Sequence, residues 1–275
     1  MKNYKQLVTS SALIRDLLKL RGYSLKKRYG QTFLYDRNII NRIIKYLNPS
    51  QNDIIVEVGP GIGNITLFYI ERVNFAYLFE IDTGFVEILK KFLKDLKNYE
   101  LLNIDFLKFD LNKILKPERK YKFFSSLPYS IGSKIIQKIC ENHHFWKEVN
   151  IIVPEAVYTR ICASPGSKEY SRITLLVRFF YNIKEKLLIK PGSFYPKPEI
   201  NSVYIKLIPH EKYINSVSFD KFQEAVKILF SFRRKQIGRI LKNFSFPFFN
   251  PEKIEKVKTK RIEELMIDEI IDLLL

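Results

Sequence analysis

The sequence predicts an α/β protein with a mostly parallel sheet, followed by a smaller helical domain. Three observations lead there. Short β-branched and aromatic runs alternate with stretches that carry apolar residues at helical spacing, the pattern of a parallel sheet with buried strands. That alternation stops after Pro209, and from residue 218 onward only helical periodicity remains. The chain has 275 residues and is 46% hydrophobic, enough for one large domain and a small appendage. The expected division is 1–209 for the α/β domain and 210–275 for the helical one.

The elements follow in order. The first twenty residues are mildly basic, but Arg15 and Asp16 interrupt any signal-peptide core, so a short leader helix packed on the domain is expected. "DIIVEVG" (53–59), "AYLFEID" (76–82), "YELLNIDF" (99–106), "YKFFSSL" (121–127) and "VNIIVPE" (149–155) read as strands. "TGFVEILKKFLKDLK" (83–97) has helical spacing. "LLVRFFYN" (175–182) and "VYIKLIP" (203–209) are expected to extend the sheet. Beyond them, "FDKFQEAVKILFSFRRKQIGRILKNF" (219–244) and "RIEELMIDEIIDLLL" (261–275) are helical, with a Pro-interrupted stretch between.

Bulk charge narrows the partners. A net charge of +18 and a pI of about 9.7 point to a polyanion, either nucleic acid or an acidic membrane surface. A Lys-, Asn- and Ile-rich composition of the kind an AT-biased genome produces accounts for part of that charge. Two cysteines, Cys140 and Cys162, make no disulfide framework, and three histidines add no zinc-ligand spacing. No metal site is expected. No apolar run approaches the ~18 residues of a membrane span. A cytoplasmic monomer is the default.

"VEVGPGIG" (56–63) closes a strand and opens a helix. Its Gly59, Gly61 and Gly63 are spaced G-x-G-x-G, where the dinucleotide fingerprint has its third glycine one residue later. Read alone, it is an ordinary glycine turn. The second strand, however, ends at Glu80, where a carboxylate can accept from two ribose hydroxyls. The third ends at Asp105, placed to hold an adenine amino group. Either acid alone could be a helix cap. No basic residue in the turn can hold a phosphate, so an adenosine ligand without phosphates fits best. S-adenosylmethionine is such a ligand.

The fourth strand delivers "SSLPY" to the same sheet edge. The N6 amine of adenine is a poor nucleophile because its lone pair is delocalised into the ring. Two acceptors gripping its N–H bonds restore nucleophilicity as the nitrogen becomes tetrahedral. The candidates are the Ser126 side chain and the Leu127 carbonyl. Pro128 stiffens the turn and Tyr129 offers a flat face to the base. In-line placement and matched acceptors are what a protein adds to such a transfer, and a stacked base implies an unpaired or flipped nucleotide. Phe194, in "PGSFYPKPEINSVYIKL" (191–207), is a second stacking face or a core Phe beside a Pro-rigid loop.

Six blocks in order, "KKRYGQTFLYD" (26–36), "VEVGPGIG", "SLPYS", "PGSKEYSR" (165–172), "FYPKPEINS" and "FRRK" (232–235), carry a family resemblance over roughly residues 20–240. The chain resembles the KsgA-type small-subunit (16S) rRNA adenine-N6,N6-dimethyltransferases, and more distantly the Erm enzymes of large-subunit rRNA. The resemblance implies a class I S-adenosylmethionine-dependent methyltransferase fold, Rossmann-like with a seven-stranded sheet. It implies two adjacent adenosines of the 3′-terminal small-subunit hairpin loop as substrate, on the rRNA of a pre-30S particle. It also implies cofactor contacts at Thr32, Leu34, Gly59, Gly61, Glu80, Asp105 and Ser126. Thr32 and Ser126 stand where the bacterial enzymes usually have Asn, and Val153 and Pro154 replace a Gln-Lys pair. The Ser126 hydroxyl starts about one bond length further from the target amine, which predicts a slower enzyme unless the backbone shifts.

In "FRRKQIGRILK" (232–242), Lys235, Arg239 and Lys242 are expected on one helix face, with Arg233 and Arg234 extending it. Phosphate contacts of this kind supply affinity and register, although a solvated helix face has the same pattern. Lys168 and Arg172 of the "PGSKEYSR" block join the expected RNA-binding set. Two alternatives stand beside the dimethyltransferase reading: a ribosome-assembly or RNA-binding factor that kept the fold with weakened or lost chemistry, and an Erm-like large-subunit enzyme.

Overall fold

Strand–helix alternation produces a seven-stranded sheet in the computed structural model, which describes residues 1–20, 22, 31–127, 131–243 and 249–275. The strands are β1 (Phe33–Leu34), β2 (Ile54–Val58), β3 (Phe75–Phe79), β4 (Tyr99–Leu102), β5 (Tyr121–Ser126), β6 (Trp146–Pro154), β7 (Tyr181–Ile189), β8 (Phe194–Tyr195) and β9 (Ser202–Pro209). The large sheet runs β4-β3-β2-β5-β6-β9-β7. β2 is parallel to both β3 and β5, β3 to β4, and β5 to β6, whereas β9 runs antiparallel to β6. The chain first builds outward from β2 through β3 to β4, then returns to place β5 on the other side of β2. The carboxyl ends of β2 and β5 therefore flank the switch point, where open α/β sheets bind ligands. β1 and β8 form a separate two-residue antiparallel ladder, Leu34 opposite Phe194.

Two compact units share this chain. The first comprises 1–135, 144–155 and 183–208, and the second 136–143, 156–182 and 209–275. The second unit thus takes in two internal segments that a linear cut at 209 assigns to the α/β domain.

In the first unit the leader forms two helices, α1 (Lys2–Val8) and α2 (Ser11–Leu20). Side chains make the break: Thr9 Oγ1 donates to the Lys5 carbonyl at 2.9 Å, and Ser10 Oγ accepts from the Leu13 N–H at 3.4 Å. Val8, Ile14 and Leu18 are buried in the same cluster as the sheet residues Ile55, Leu78 and Phe124. Further on, α3 (Arg37–Leu47) is capped by Asp36, α4 (Thr66–Tyr69) follows the glycine turn, and α5 (Thr83–Leu93) is capped by Asp82. Buried charges sit toward the amino ends of the strands, where Lys122 meets Asp53 at 3.0 Å and Lys206 meets Glu148 at 2.8 Å. Each has a partner, as burial requires.

α6 (Gly132–Glu141) and α7 (Glu155–Cys162) carry the chain into the second unit, which also holds α8 (Arg172–Phe180), α9 (Phe219–Ser231), α10 (Ile237–Asn243), α11 (Pro251–Val257) and α12 (Ile267–Asp272). Two expectations change here. "LLVRFFYN" is not a strand throughout: 175–180 belong to α8, and β7 begins only at Tyr181. The Ser171 N–H donates to Thr174 Oγ1 at 3.0 Å at the start of this helix, and its apolar residues are buried around most of its circumference. A helix buried on every side loses the periodicity that would distinguish it from a buried strand. "FDKF…LKNF" is not one helix either: α9 ends at Ser231 and 232–236 form a turn before α10. Lys235 lies in that turn, so it does not share a helix face with Arg239. Phe179 and Phe222, with ring centroids 4.4 Å apart, lie at the aromatic centre of this unit.

Candidate active site

The turn after β2 begins the site. The Gly59 N–H donates to the Phe79 carbonyl at 2.9 Å, which ties the turn to the end of β3. Gly59 and Gly61 adopt φ of +71° and +58°, a region costly for residues with a Cβ. Gly61 also has no room for one, because an added Cβ would lie 3.2 Å from Cε1 of Phe33.

Glu80 follows β3 and is 5% exposed. One of its oxygens accepts from the Gly61 N–H and the other from the Asp82 N–H, each at 2.9 Å. The carboxylate thereby holds the glycine turn against the end of β3. Burial raises its pKa to about 7, partly offset by the Asp82 and Gly61 N–H groups. Glu57, inside "VEVG", is also raised to about 7 by burial, although Tyr69 and Thr66 donate to it at 2.6 and 2.7 Å. β4 ends at Leu102, so Asp105 closes not the strand but the loop after it. Its carboxylate accepts from the Leu107 N–H at 2.9 Å.

β5 brings the two adjacent serines to the same edge with different roles. Ser125 is fully buried, and its hydroxyl donates to the Val58 carbonyl at 2.7 Å, tying the end of β5 to the residue before Gly59. The period of two turns Ser126 the other way. Ser126 faces a cavity, and its hydroxyl makes no hydrogen bond among the described residues. The Leu127 N–H donates to the Ile152 carbonyl at 2.8 Å, which holds the exit from the strand. Pro128 and Tyr129 lie outside the described residues.

One cavity of about 450 Å³ gathers these positions: Thr32, Leu34, Gly59, Gly61, Glu80, Asp105, Ser126, Leu127 and Phe194 all line it. Phe194 is both a core residue, 4% exposed, and part of the cavity wall. Sequence reasoning passed over Glu57, Phe33, Ile81 and Phe106, which line it too. Ile81 had a signal: an apolar residue directly after a strand-end acid, here 47% exposed. Phe33 had none, since its role against Gly61 depends on a fold contact. Among the described residues no lysine, arginine or histidine lines this cavity, and no group of three His, Cys, Asp or Glu is placed to hold a metal. No helix among them is long and apolar enough to cross a membrane.

The expected RNA-binding residues all belong to the second unit. Lys168, Arg234, Lys235 and Arg239 are exposed, Arg172 is half-buried, and Arg233 is held by Glu263 and by the Lys168 carbonyl.

The chain matches the family described as Ribosomal RNA adenine dimethylase over residues 22–273. It is 34% identical to "Ribosomal RNA small subunit methyltransferase A" of Borreliella burgdorferi over 98% of this chain and 94% of that one. It is 37% identical to the protein of the same name from Mycoplasmopsis pulmonis over 84% and 87% of the two chains. Among solved structures, a dimethyladenosine transferase from Plasmodium falciparum shares the fold with a TM-score of 0.74, at 24% identity over 87% of this chain and 94% of that one.

Proposed function

Because the chain belongs to the ribosomal RNA adenine dimethylase family and is an S-adenosylmethionine-dependent rRNA adenine dimethyltransferase, we propose that its substrate is small-subunit rRNA. It dimethylates N6 of two adjacent adenosines in the 3′-terminal hairpin loop, in the cytoplasm, during small-subunit biogenesis. The relatives named for the small subunit support this choice over large-subunit rRNA.

The single observation that carries the assignment of residues is the shared cavity at the sheet's switch point. Its lining combines the Gly59–Gly61 turn, the Glu80 and Asp105 carboxylates, Ser126, Leu127 and Phe194. The cofactor fits that lining, which offers three acids, Glu57, Glu80 and Asp105, and no base to a ligand that is cationic at sulfur and carries no phosphate. Glu80 accepts from the ribose hydroxyls, Asp105 from the adenine amino group, and the glycine turn admits the ligand against bare backbone. Thr32 and Leu34 cover it from the β1 side. When bound, the cofactor supplies an electrophilic methyl group. Ser126 Oγ and the Leu127 carbonyl accept from the two N–H bonds of the target amine, which directs its lone pair along the transfer axis. Tyr129, which lies outside the described residues, is assigned to the target base by its motif alone, and Phe194 forms the second wall for that base.

Ser126 where the bacterial enzymes usually have Asn, and Val153 and Pro154 in place of their Gln-Lys pair, motivate a second reading, an RNA-binding assembly factor with weakened chemistry. Calorimetry with S-adenosylmethionine, followed by methyl-labelling of undermethylated small subunits, separates the two. Binding with incorporation supports the enzyme, and binding without incorporation supports the factor. Label in large subunits alone would instead indicate the Erm-like activity.

A further inference from the structure

The glycine turn has a neighbour far from it in sequence. α1 ends at Val8, and the last carbonyls of a helix need partners from outside its own ladder. The Thr9 and Ser10 N–H groups donate to the carbonyls of Gln6 and Leu7, and Thr9 Oγ1 donates to that of Lys5. The Val8 carbonyl instead accepts from the side-chain amide of Asn64 at 2.9 Å. Asn64 follows Gly63 in the turn, is 6% exposed and lines the cavity. A buried carbonyl that loses its donor is costly, so this bond ties the break in the leader to the wall of the site.

α4 begins two residues after Asn64 and has only four residues, too few to hold a helix by its own hydrogen bonds. Its position comes from what it touches. Thr66 and Tyr69 donate to Glu57, a residue of the cavity wall. The leader supplies further contacts: Lys5 Nζ lies 6.0 Å from the centroid of the Phe68 ring and meets Glu71, just beyond α4, at 2.9 Å. Tyr4 stacks on Phe92 of α5, with ring centroids 4.2 Å apart. The leader therefore bears on both helices that follow the strand ends of the site, α4 after β2 and α5 after β3. Tyr4, Lys5 and Val8 do not themselves line the cavity, so any effect of theirs on a ligand passes through α4, α5 and Asn64.

We propose that the leader is a strap on the cofactor turn, and that Asn64 is the positioning residue through which its docking raises cofactor affinity. The proposal rests on the reading of this cavity as the cofactor site. Coupling of this kind is reciprocal. If the docked leader raises affinity for the ligand, the bound ligand holds the leader down by the same factor.

The test combines calorimetry with S-adenosylmethionine and amide hydrogen exchange of residues 2–20, with and without saturating S-adenosylmethionine. The full chain is compared with Asn64→Ala, Tyr4→Ala and Asn98→Ala. Asn98 is the control, because its amide also donates to carbonyls, those of Ile70 and Val73 at 2.8 and 3.1 Å, but it does not line the cavity. Asn64→Ala is expected to weaken binding on the order of 10-fold, and Tyr4→Ala to weaken it in the same direction from outside the cavity. Asn98→Ala lowers the melting temperature and leaves affinity at the parental value. The ligand slows exchange of the parent's leader, and Asn64→Ala removes that protection. If Asn64→Ala does not fold by circular dichroism, Tyr4→Ala and the parent's exchange decide. Loss of affinity in Asn64→Ala alone, with Tyr4→Ala parental and leader exchange indifferent to the ligand, makes Asn64 a wall residue only and overturns the strap. Lower melting temperatures with parental affinity in all three variants overturn it too, and leave the cofactor site standing. Failure of the parent to bind the ligand removes both.

Discussion

Ser125 and Ser126 are identical in type and opposite in role, because successive strand residues face opposite ways. One hydroxyl is used up on the Val58 carbonyl, and the other is open to the cavity. The sequence read Ser126 as a shortened acceptor. The structure adds that its neighbour ties the end of β5 to the residue before the glycine turn. Ser126→Ala is expected to lower kcat on the order of 10²-fold in single-turnover kinetics. Ser126→Asn is expected to retain or raise kcat, and a large loss in single-turnover kinetics would mean the pocket is built around the hydroxyl. Glu80 carries a pH signature. Its ionised form accepts from hydroxyls, and burial raises its pKa to about 7, so at lower pH a proton must leave before the ligand is gripped. Cofactor affinity by calorimetry should therefore rise as pH increases through about 7 and level off above it. Glu57 titrates in the same range, so the profile belongs to the pair. Glu80→Gln should weaken binding at pH 8 and flatten most of the rise, whereas an unchanged profile would remove Glu80 from the ribose site.

At the scale of elements, the parallel strands β2, β5 and β6 were legible because nearly all their residues are buried, which leaves nearly continuous apolar runs such as "DIIVEV" and "YKFF". The same feature concealed α8, where "LLVRFF" is buried on most sides and only its capping at Ser171 and Thr174 marks a helix. The break between α9 and α10 was not legible either, because pairing with Lys258 and Lys260 far along the chain holds it. The glycine turn was legible as a turn, but its contact with β1 was not. That contact is testable: Gly61→Ala places a Cβ against Phe33 at φ +58°. It is expected to cost about 1–2 kcal/mol in urea unfolding and to weaken cofactor binding, and wild-type values of both would show that the turn has slack.

Across the whole molecule, the path from sequence to site runs through topology. Glu80, Asp105 and Ser126 are separated by dozens of residues, and strand order β4-β3-β2-β5 collects them at one edge. The order of the motifs implied that gathering, whereas the path of the chain between units did not emerge from sequence. Segments 136–143 and 156–182 cluster with the C-terminal helices through contacts distant in sequence, and no compositional boundary marks them. The central claim is that this cavity transfers methyl groups to two adjacent adenosines of small-subunit rRNA. It is tested most directly by mass spectrometry of the 3′-terminal hairpin after undermethylated small subunits are incubated with the protein and isotope-labelled S-adenosylmethionine. The account predicts two labelled methyl groups on each of the two adenosines, and none with Glu80→Ala. An unlabelled hairpin from a preparation that binds the cofactor would contradict it.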